Sequence, residues 1–287
     1  VTDSTSSQTL KKLGEWVKTE ALSSRFLDFY ISLLTLQADV EESLVIAEPG
    51  ISQKTVYRRL ANGRSLLRFS HIASSLPKIQ AAFEKAVKTF SEYADLFGDI
   101  PPSLLAKPKL ERQTAKAWFN GKNLPATMSD QAIDTTLLDT LIQQTLRPFL
   151  IRYSQLLMKR VNQKIWRRGY CPICSGRPDI AYLEKDVGER WLMCSRCDAQ
   201  WRFQRLECPF CGNQDSKLTP HFSDEREAYR LYVCDNCQTY IKAVDFRNAA
   251  DDIYLPLERL LTLDMDQQGQ ERGYRPGSAI RETGNSA

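Results

Sequence analysis

Cys171-Pro172-Ile173-Cys174, Cys194-Ser195-Arg196-Cys197, Cys208-Pro209-Phe210-Cys211 and Cys234-Asp235-Asn236-Cys237 hold all eight cysteines of a 287-residue chain. A two-residue gap lets both sulfurs of a pair turn toward one ion, and two such knuckles complete a tetrahedral thiolate cage. The spacing within the first two pairs, C-x2-C-x19-C-x2-C, is ordinary for such sites, and the second, C-x2-C-x22-C-x2-C, runs slightly long. The expectation is two metal ions, iron or zinc, each bound by four thiolates. Sequential pairing assigns Cys171, Cys174, Cys194 and Cys197 to one ion and Cys208, Cys211, Cys234 and Cys237 to the other. A cross-braced arrangement would interleave the pairs, but only the ten residues Asp198–Glu207 separate the quartets.

The residues between the knuckles read as short strands. Ile180–Leu183, a turn through Lys185 to Gly188, and Arg190–Met193 form a hairpin, and the alternation continues in Trp201–Gln204. The second half repeats the plan: Leu231-Tyr232-Val233 precedes Cys234 as Trp191-Leu192-Met193 precedes Cys194. Modules of this size bury too little apolar surface to fold unaided, so the metal supplies folding energy.

Before Cys171 the sequence is helical in pattern. Phe26, Phe29, Tyr30, Leu33 and Leu34 share one helix face; Ile79, Ala82, Phe83, Val87, Phe90 and Tyr93 share another. A periodic segment runs from about Ala132 to Trp166, with Pro148 kinking it or opening a second helix. The division expected is a helical bundle domain at 1–168, metal modules at 169–207 and 208–248, a C-terminal helix at 249–274 and a disordered tail at 275–287. The fold class is thus α plus small β metal-binding modules.

Val1–Leu10 is polar and no apolar run is long enough to span a bilayer, so the expected location is cytoplasmic, without membrane insertion. In a reducing compartment paired cysteines persist on metal rather than as disulfides. Net charge is only +4, but Leu156–Glu207 carries eleven basic and six acidic residues. Offsetting the negative thiolate cages explains that excess first, and a partner surface second. With two histidines, His71 and His221, both isolated, no nucleophile–base pair is visible, and there is no phosphate-binding glycine loop. No catalytic residue and no enzymatic role are assigned. Gly50–Leu60 has the look of a helix-turn-helix, which would set Ser52, Lys54 and Arg58 near DNA; an ordinary exposed helix is the preferred reading, and nucleic acid is not the expected partner.

The cysteine-rich half resembles the FdhE family of formate dehydrogenase accessory proteins. The resemblance rests on Cys171-Pro172-Ile173-Cys174 with Gly176 and Pro178, Leu192–Cys197, Trp201-Arg202-Phe203 with Arg205, Cys208–Asn213, and Cys234–Cys237 leading to Tyr240, Lys242 and Asp245. It extends to Leu261–Asp264 and Gly273-Tyr274. Ser175, Asp198 and Gln238 stand where the family commonly has glycine after a knuckle. The family implies a cytoplasmic maturation factor that binds the catalytic subunit of a formate dehydrogenase, and tandem rubredoxin-like, zinc-ribbon-like modules able to hold iron. Trp201, Arg202, Arg205, Tyr240 and Lys242 are the neighbouring surface expected to meet the partner. The alternatives are a rubredoxin-like electron-transfer protein and a zinc-ribbon DNA-binding regulator.

Overall fold

The computed structural model of the chain describes residues 4–17, 24–124 and 134–279. Its contacts divide it into two units, one from within Val1–Ala47 and Leu67–Tyr153, the other from Glu48–Leu66 and Ser154–Ile280. The helices in chain order are α1 (Thr5–Trp16), α2 (Ser24–Ser43), α3 (Gln53–Ala61), α4 (Phe69–Ile72), α5 (Leu76–Glu92), α6 (Ala94–Phe97), α7 (Pro102–Ala106), α8 (Arg112–Phe119) and α9 (Thr135–Leu157).

In the first unit the apolar stripes read from sequence become the core. Ile79, Ala82, Phe83, Ala86, Val87 and Phe90 of α5 are buried at three- and four-residue spacing. Phe29 of α2 meets Phe90 edge-on, with ring centroids 4.9 Å apart, a favoured aromatic geometry. Buried Glu41 of α2 accepts hydrogen bonds from the Thr5 amide and the Ser6 hydroxyl, setting a carboxylate at the positive end of α1. Pro148 lies inside an unbroken α9 and opens no second helix. The helix stops at Leu157, earlier than the periodicity to Trp166 suggested. Trp166 is buried by a turn instead, its indole N–H donating to the Tyr170 carbonyl at 2.9 Å. Ala132, the expected start of that segment, lies outside the described residues.

The second unit is built on one mixed sheet of β1 (Pro178–Leu183), β2 (Arg190–Cys194), β3 (Gln200–Arg202), β4 (His221–Ser223), β5 (Tyr229–Cys234), β6 (Thr239–Asp245) and β7 (Arg275–Pro276). The order is β3-β2-β1-β6-β5-β4, with β7 beside β6. Each cysteine module contributes an antiparallel meander, as the repeat predicted. The modules are not separate beads, however: β1 pairs in parallel with β6, Ile180 beside Lys242 and Leu183 beside Asp245. Every residue of β6 is buried: it is a central strand between β1 and β5, and helices α10 (Leu255–Leu261) and α11 (Leu263–Glu271) cover the face that carries Tyr240, Lys242 and Val244. Leu255 packs with Ile180, Met193 and Val244, and Met265 with Leu231, Val233 and Tyr240.

The contact division cuts the chain differently from the boundary at 168/169, since residues 48–66 and 154–168 group with the sheet. The expected C-terminal helix is two short helices. The expected disordered tail is ordered through Ala279: Arg275 donates its amide to the Gln238 carbonyl at 3.0 Å, and Gly277 lies so close to the Phe210 ring that no Cβ would fit. Residues 280–287 lie outside the described set.

Candidate metal centres

One backbone device is used four times. The amide after the second cysteine of each knuckle donates to the carbonyl of the first: Ser175 to Cys171 (3.1 Å), Asp198 to Cys194 (3.2 Å), Gly212 to Cys208 (2.9 Å) and Gln238 to Cys234 (2.8 Å). Closing so tight a turn requires the left-handed backbone at the donor residue, and φ there is 62°, 56°, 74° and 53°. Glycine occupies this conformation without penalty, which explains Gly212. At the other three positions the turn survives a side chain, and each side chain is held. The Ser175 hydroxyl donates to Ser65 Oγ at 2.8 Å, Asp198 accepts from Arg259 at 2.7 Å, and the Gln238 amide donates to the Asp235 carbonyl at 2.7 Å.

These turns gather the thiols into the two sequential quartets, with all sulfurs of each within 4.8 Å of one another. Cys171–Cys197, Cys174–Cys194 and Cys174–Cys197 are 3.5 Å apart; Cys208–Cys237 is 3.8 Å and Cys211–Cys234 is 3.7 Å. A tetrahedral ion with metal–sulfur bonds of about 2.3 Å requires sulfur–sulfur edges of roughly 3.8 Å. Both cages therefore fit a four-coordinate metal, with no ligand position left over. Amide N–H groups of Ile173 and Cys174 point at Cys171 Sγ, and that of Arg196 at Cys194 Sγ, as suits sulfur carrying negative charge. Neither His71 nor His221 belongs to a cage.

The quartets differ in exposure. All four thiols of the first are buried to 1% or less. A Cβ on Gly176 would sit 2.8 Å from Cys194 Sγ, so the chain closes over this cage with only a hydrogen's width to spare. In the second, Cys208 and Cys234 are buried, Cys237 is half-buried and Cys211 is exposed. Burial pushes the Cys237 thiol up to about 11. At Cys211 burial also acts upward, but hydrogen bonds from the Asn236 side chain and the Asn213 amide outweigh it and bring the thiol down to about 7. Asn236 Nδ2 is 3.4 Å from that sulfur, and the Thr239 hydroxyl 3.0 Å from Cys237 Sγ.

Around the first cage the principal support comes from α10. Arg259 forks onto Asp179 through Nε (2.5 Å) and Nη2 (3.1 Å), and reaches Asp198 through Nη1 (2.7 Å) and the Cys194 carbonyl through Nη2 (2.8 Å). Nothing local in the sequence announces Arg259, because its partners lie 61 and 80 residues away. The second missed support is the segment after α3. The Leu66 amide donates to the Pro172 carbonyl at 2.8 Å, and the Ser65 hydroxyl to the Cys171 carbonyl at 2.7 Å. Ser52 caps α3 through the Thr55 amide, while Lys54 and Arg58 are exposed.

The expected contact surface needs correction. Trp201, Tyr240 and Lys242 are buried, and only Arg202 and Arg205 are exposed. The Trp201 indole N–H donates to the Arg168 carbonyl at 2.9 Å. The Lys242 ammonium caps the end of α10 through the carbonyls of Arg259 (3.3 Å) and Thr262 (3.2 Å) and pairs with Asp266 at 2.6 Å, the carboxylate that also accepts from the Tyr240 hydroxyl. Alternation puts Tyr240 and Lys242 on one face of the sheet, and packing of α10 and α11 there makes that face interior; Trp201, in register with Leu192, Ala181 and Ala243, is buried on the opposite face.

No family model matches the chain. An FdhE homolog from Aquifex aeolicus is 33% identical over 140 residues, covering 45% of this chain and 49% of that protein. FdhE of Escherichia coli is 30% identical over 117 residues, covering 39% and 37%. The crystal structure of the FdhE protein from Pseudomonas aeruginosa superposes with a TM-score of 0.60 over 99% of this chain and 98% of that one, at 18% identity. The chain is thus similar in sequence to FdhE proteins over less than half of its length and shares the fold of one along nearly all of it. Its alignments span about half the length of these curated relatives or less, and the Pseudomonas likeness extends the shared fold along the rest. Among the described residues, no helix is long and apolar enough to cross a membrane.

Proposed function

We propose that this chain is an accessory factor in formate dehydrogenase maturation, one that binds the enzyme's catalytic subunit through its helical unit and its cysteine-bearing sheet. The observation that carries the reading is the pair of closed four-cysteine cages on one sheet in a chain related to FdhE proteins. The eight cysteines are its metal ligands, and the ions are iron or zinc. Bound metal ties each pair of knuckles together and, as iron, would add one-electron chemistry. The protein's part is to exclude water from the first cage, to present Cys211 of the second at the surface, and to offer Arg202 and Arg205 to an acidic partner. Trp201, Tyr240 and Lys242 are interior: the first is tied to the Arg168 carbonyl, and the other two fasten the C-terminal helices to the sheet.

Co-purification of tagged full-length protein with the cognate formate dehydrogenase catalytic subunit tests the reading, alongside formate dehydrogenase activity in a deletion strain. Retention of the subunit with loss of activity is expected. No retention together with undiminished activity would sink it.

A further inference from the structure

The basic excess between Leu156 and Glu207 is only partly explained by the thiolate cages, because four of its arginines converge elsewhere. Arg167, Arg190, Arg202 and Arg205 line a cavity of about 310 Å³ beside the β1–β2 turn, with Glu189 and Gln163 also in its wall. No cysteine lines it. The single carboxylate is engaged: Arg202 Nη2 pairs with Glu189 Oε1 at 2.6 Å. Among the described residues no carboxylate pairs with Arg167 or Arg205, both of them exposed. The Gln163 side-chain carbonyl is already used by the Arg202 amide at 3.1 Å, which leaves its NH2 as a donor.

Arg190 is the unusual member. It is only 4% exposed and has no carboxylate partner. Nη1 donates to the carbonyls of Arg205 (3.4 Å) and Glu207 (3.1 Å), the guanidinium carbon lies 5.1 Å from the Tyr232 ring centroid, and Nε has no hydrogen-bond partner. A guanidinium out of water without a counter-anion is costly. The nearby Cys208 cage offsets part of that charge, but Arg167 and Arg205 remain uncompensated. The turn brings the groups close: Arg205 Nη1 lies 3.5 Å from where a Cβ on Gly188 would sit, and Gly188 takes the left-handed φ of 65° that lets the chain fold back there.

We propose that this cavity binds the phosphate group of a small phosphorylated ligand. Four guanidinium groups around one neutralised carboxylate match a dianion better than a lone carboxylate. The concave volume admits a phosphate with a short remainder, whereas a nucleic-acid duplex would need an open face. No cysteine enters its wall, and because it shares Arg202 and Arg205 with the proposed partner surface, phosphate binding is read on the isolated chain, where the outcome does not depend on the maturation role.

The test is titration of the metal-loaded full chain with inorganic phosphate and with glycerol phosphate, following arginine Nε–H signals by NMR at constant ionic strength, with chloride as the reference. Saturable shifts with both phosphates and not with chloride are expected. The Arg167→Ala/Arg205→Ala double variant, changed only at exposed positions, should bind about tenfold more weakly or worse; Arg58→Ala/Arg64→Ala should bind as the parent. No saturable shift beyond that of chloride, or undiminished binding by the double variant, overturns the proposal. So does preferential, competing binding of a single-stranded oligonucleotide, which would make the cavity part of a nucleic-acid surface.

Discussion

Arg259 reaches across the first cage to Asp198, the residue immediately after its last cysteine, with 2.7 Å between Nη1 and Oδ1. Asp198 holds a left-handed φ of 56° at that point, so the ion pair fastens a strained turn to helix α10. Burial opposes the charge on Arg259, but Asp179 and Asp198 outweigh it and raise its pKa.

Replacing Arg259 by Met should therefore strip two partly buried carboxylates of this guanidinium. The expected loss is about 3 kcal/mol of unfolding free energy in the metal-loaded protein, read by denaturant titration. Metal in the first quartet should also exchange faster. A change below about 0.5 kcal/mol would mean the fork carries no stability.

Gln238 is exposed and keeps a φ of 53°. Gln238→Gly should be neutral or stabilising by up to about 1 kcal/mol, and Gln238→Ile destabilising by about 1–2 kcal/mol, because the left-handed region penalises a branched side chain. Thermal unfolding of the two variants checks the order; a more stable Ile variant would show that the turn conformation is misread.

Under a competing chelator, the second quartet should release its metal first, since Cys211 is exposed while every sulfur of the first cage is buried. Native mass spectrometry would show a one-metal intermediate, and alkylation of that intermediate should label Cys211 and Cys237 before any of Cys171, Cys174, Cys194 and Cys197. Early labelling of the first quartet would reverse the assignment. Removing both ions should unfold the sheet, because the knuckles terminate its strands.

Lys242→Ala and Arg202→Ala should separate scaffold from surface. The Lys242–Asp266 pair has side-chain exposures of 6% and 26%, so losing the lysine should cost about 3 kcal/mol. The Arg202–Glu189 pair is at 48% and 31% and should cost no more than about 0.5 kcal/mol. Denaturant midpoints decide; equal losses would contradict the burial difference.

Much of the candidate site was legible because its signals are local. Cys-x-x-Cys spacing dictates a knuckle, and the ten residues from Asp198 to Glu207 leave little chain for interleaving; the sulfurs are indeed grouped in sequence order. The β1–β2 hairpin and the stripes of α2 and α5 follow from alternation and helical period in the same way. Trp166 shows the limit: an apolar residue at helical spacing satisfies periodicity whether a helix or a turn buries it.

The residues of the chain determined, on their own, where thiolate cages form and which faces are apolar, because both depend on neighbours a few positions apart. Tertiary structure alone decided that β1 joins β6 into one sheet, that Arg259 locks the first cage, that Lys242 is interior, and that four arginines share a cavity. Those relationships reach across as many as 80 positions of sequence. Their energies depend on desolvation and partner geometry, which exist only once the sheet and helices α10 and α11 have packed.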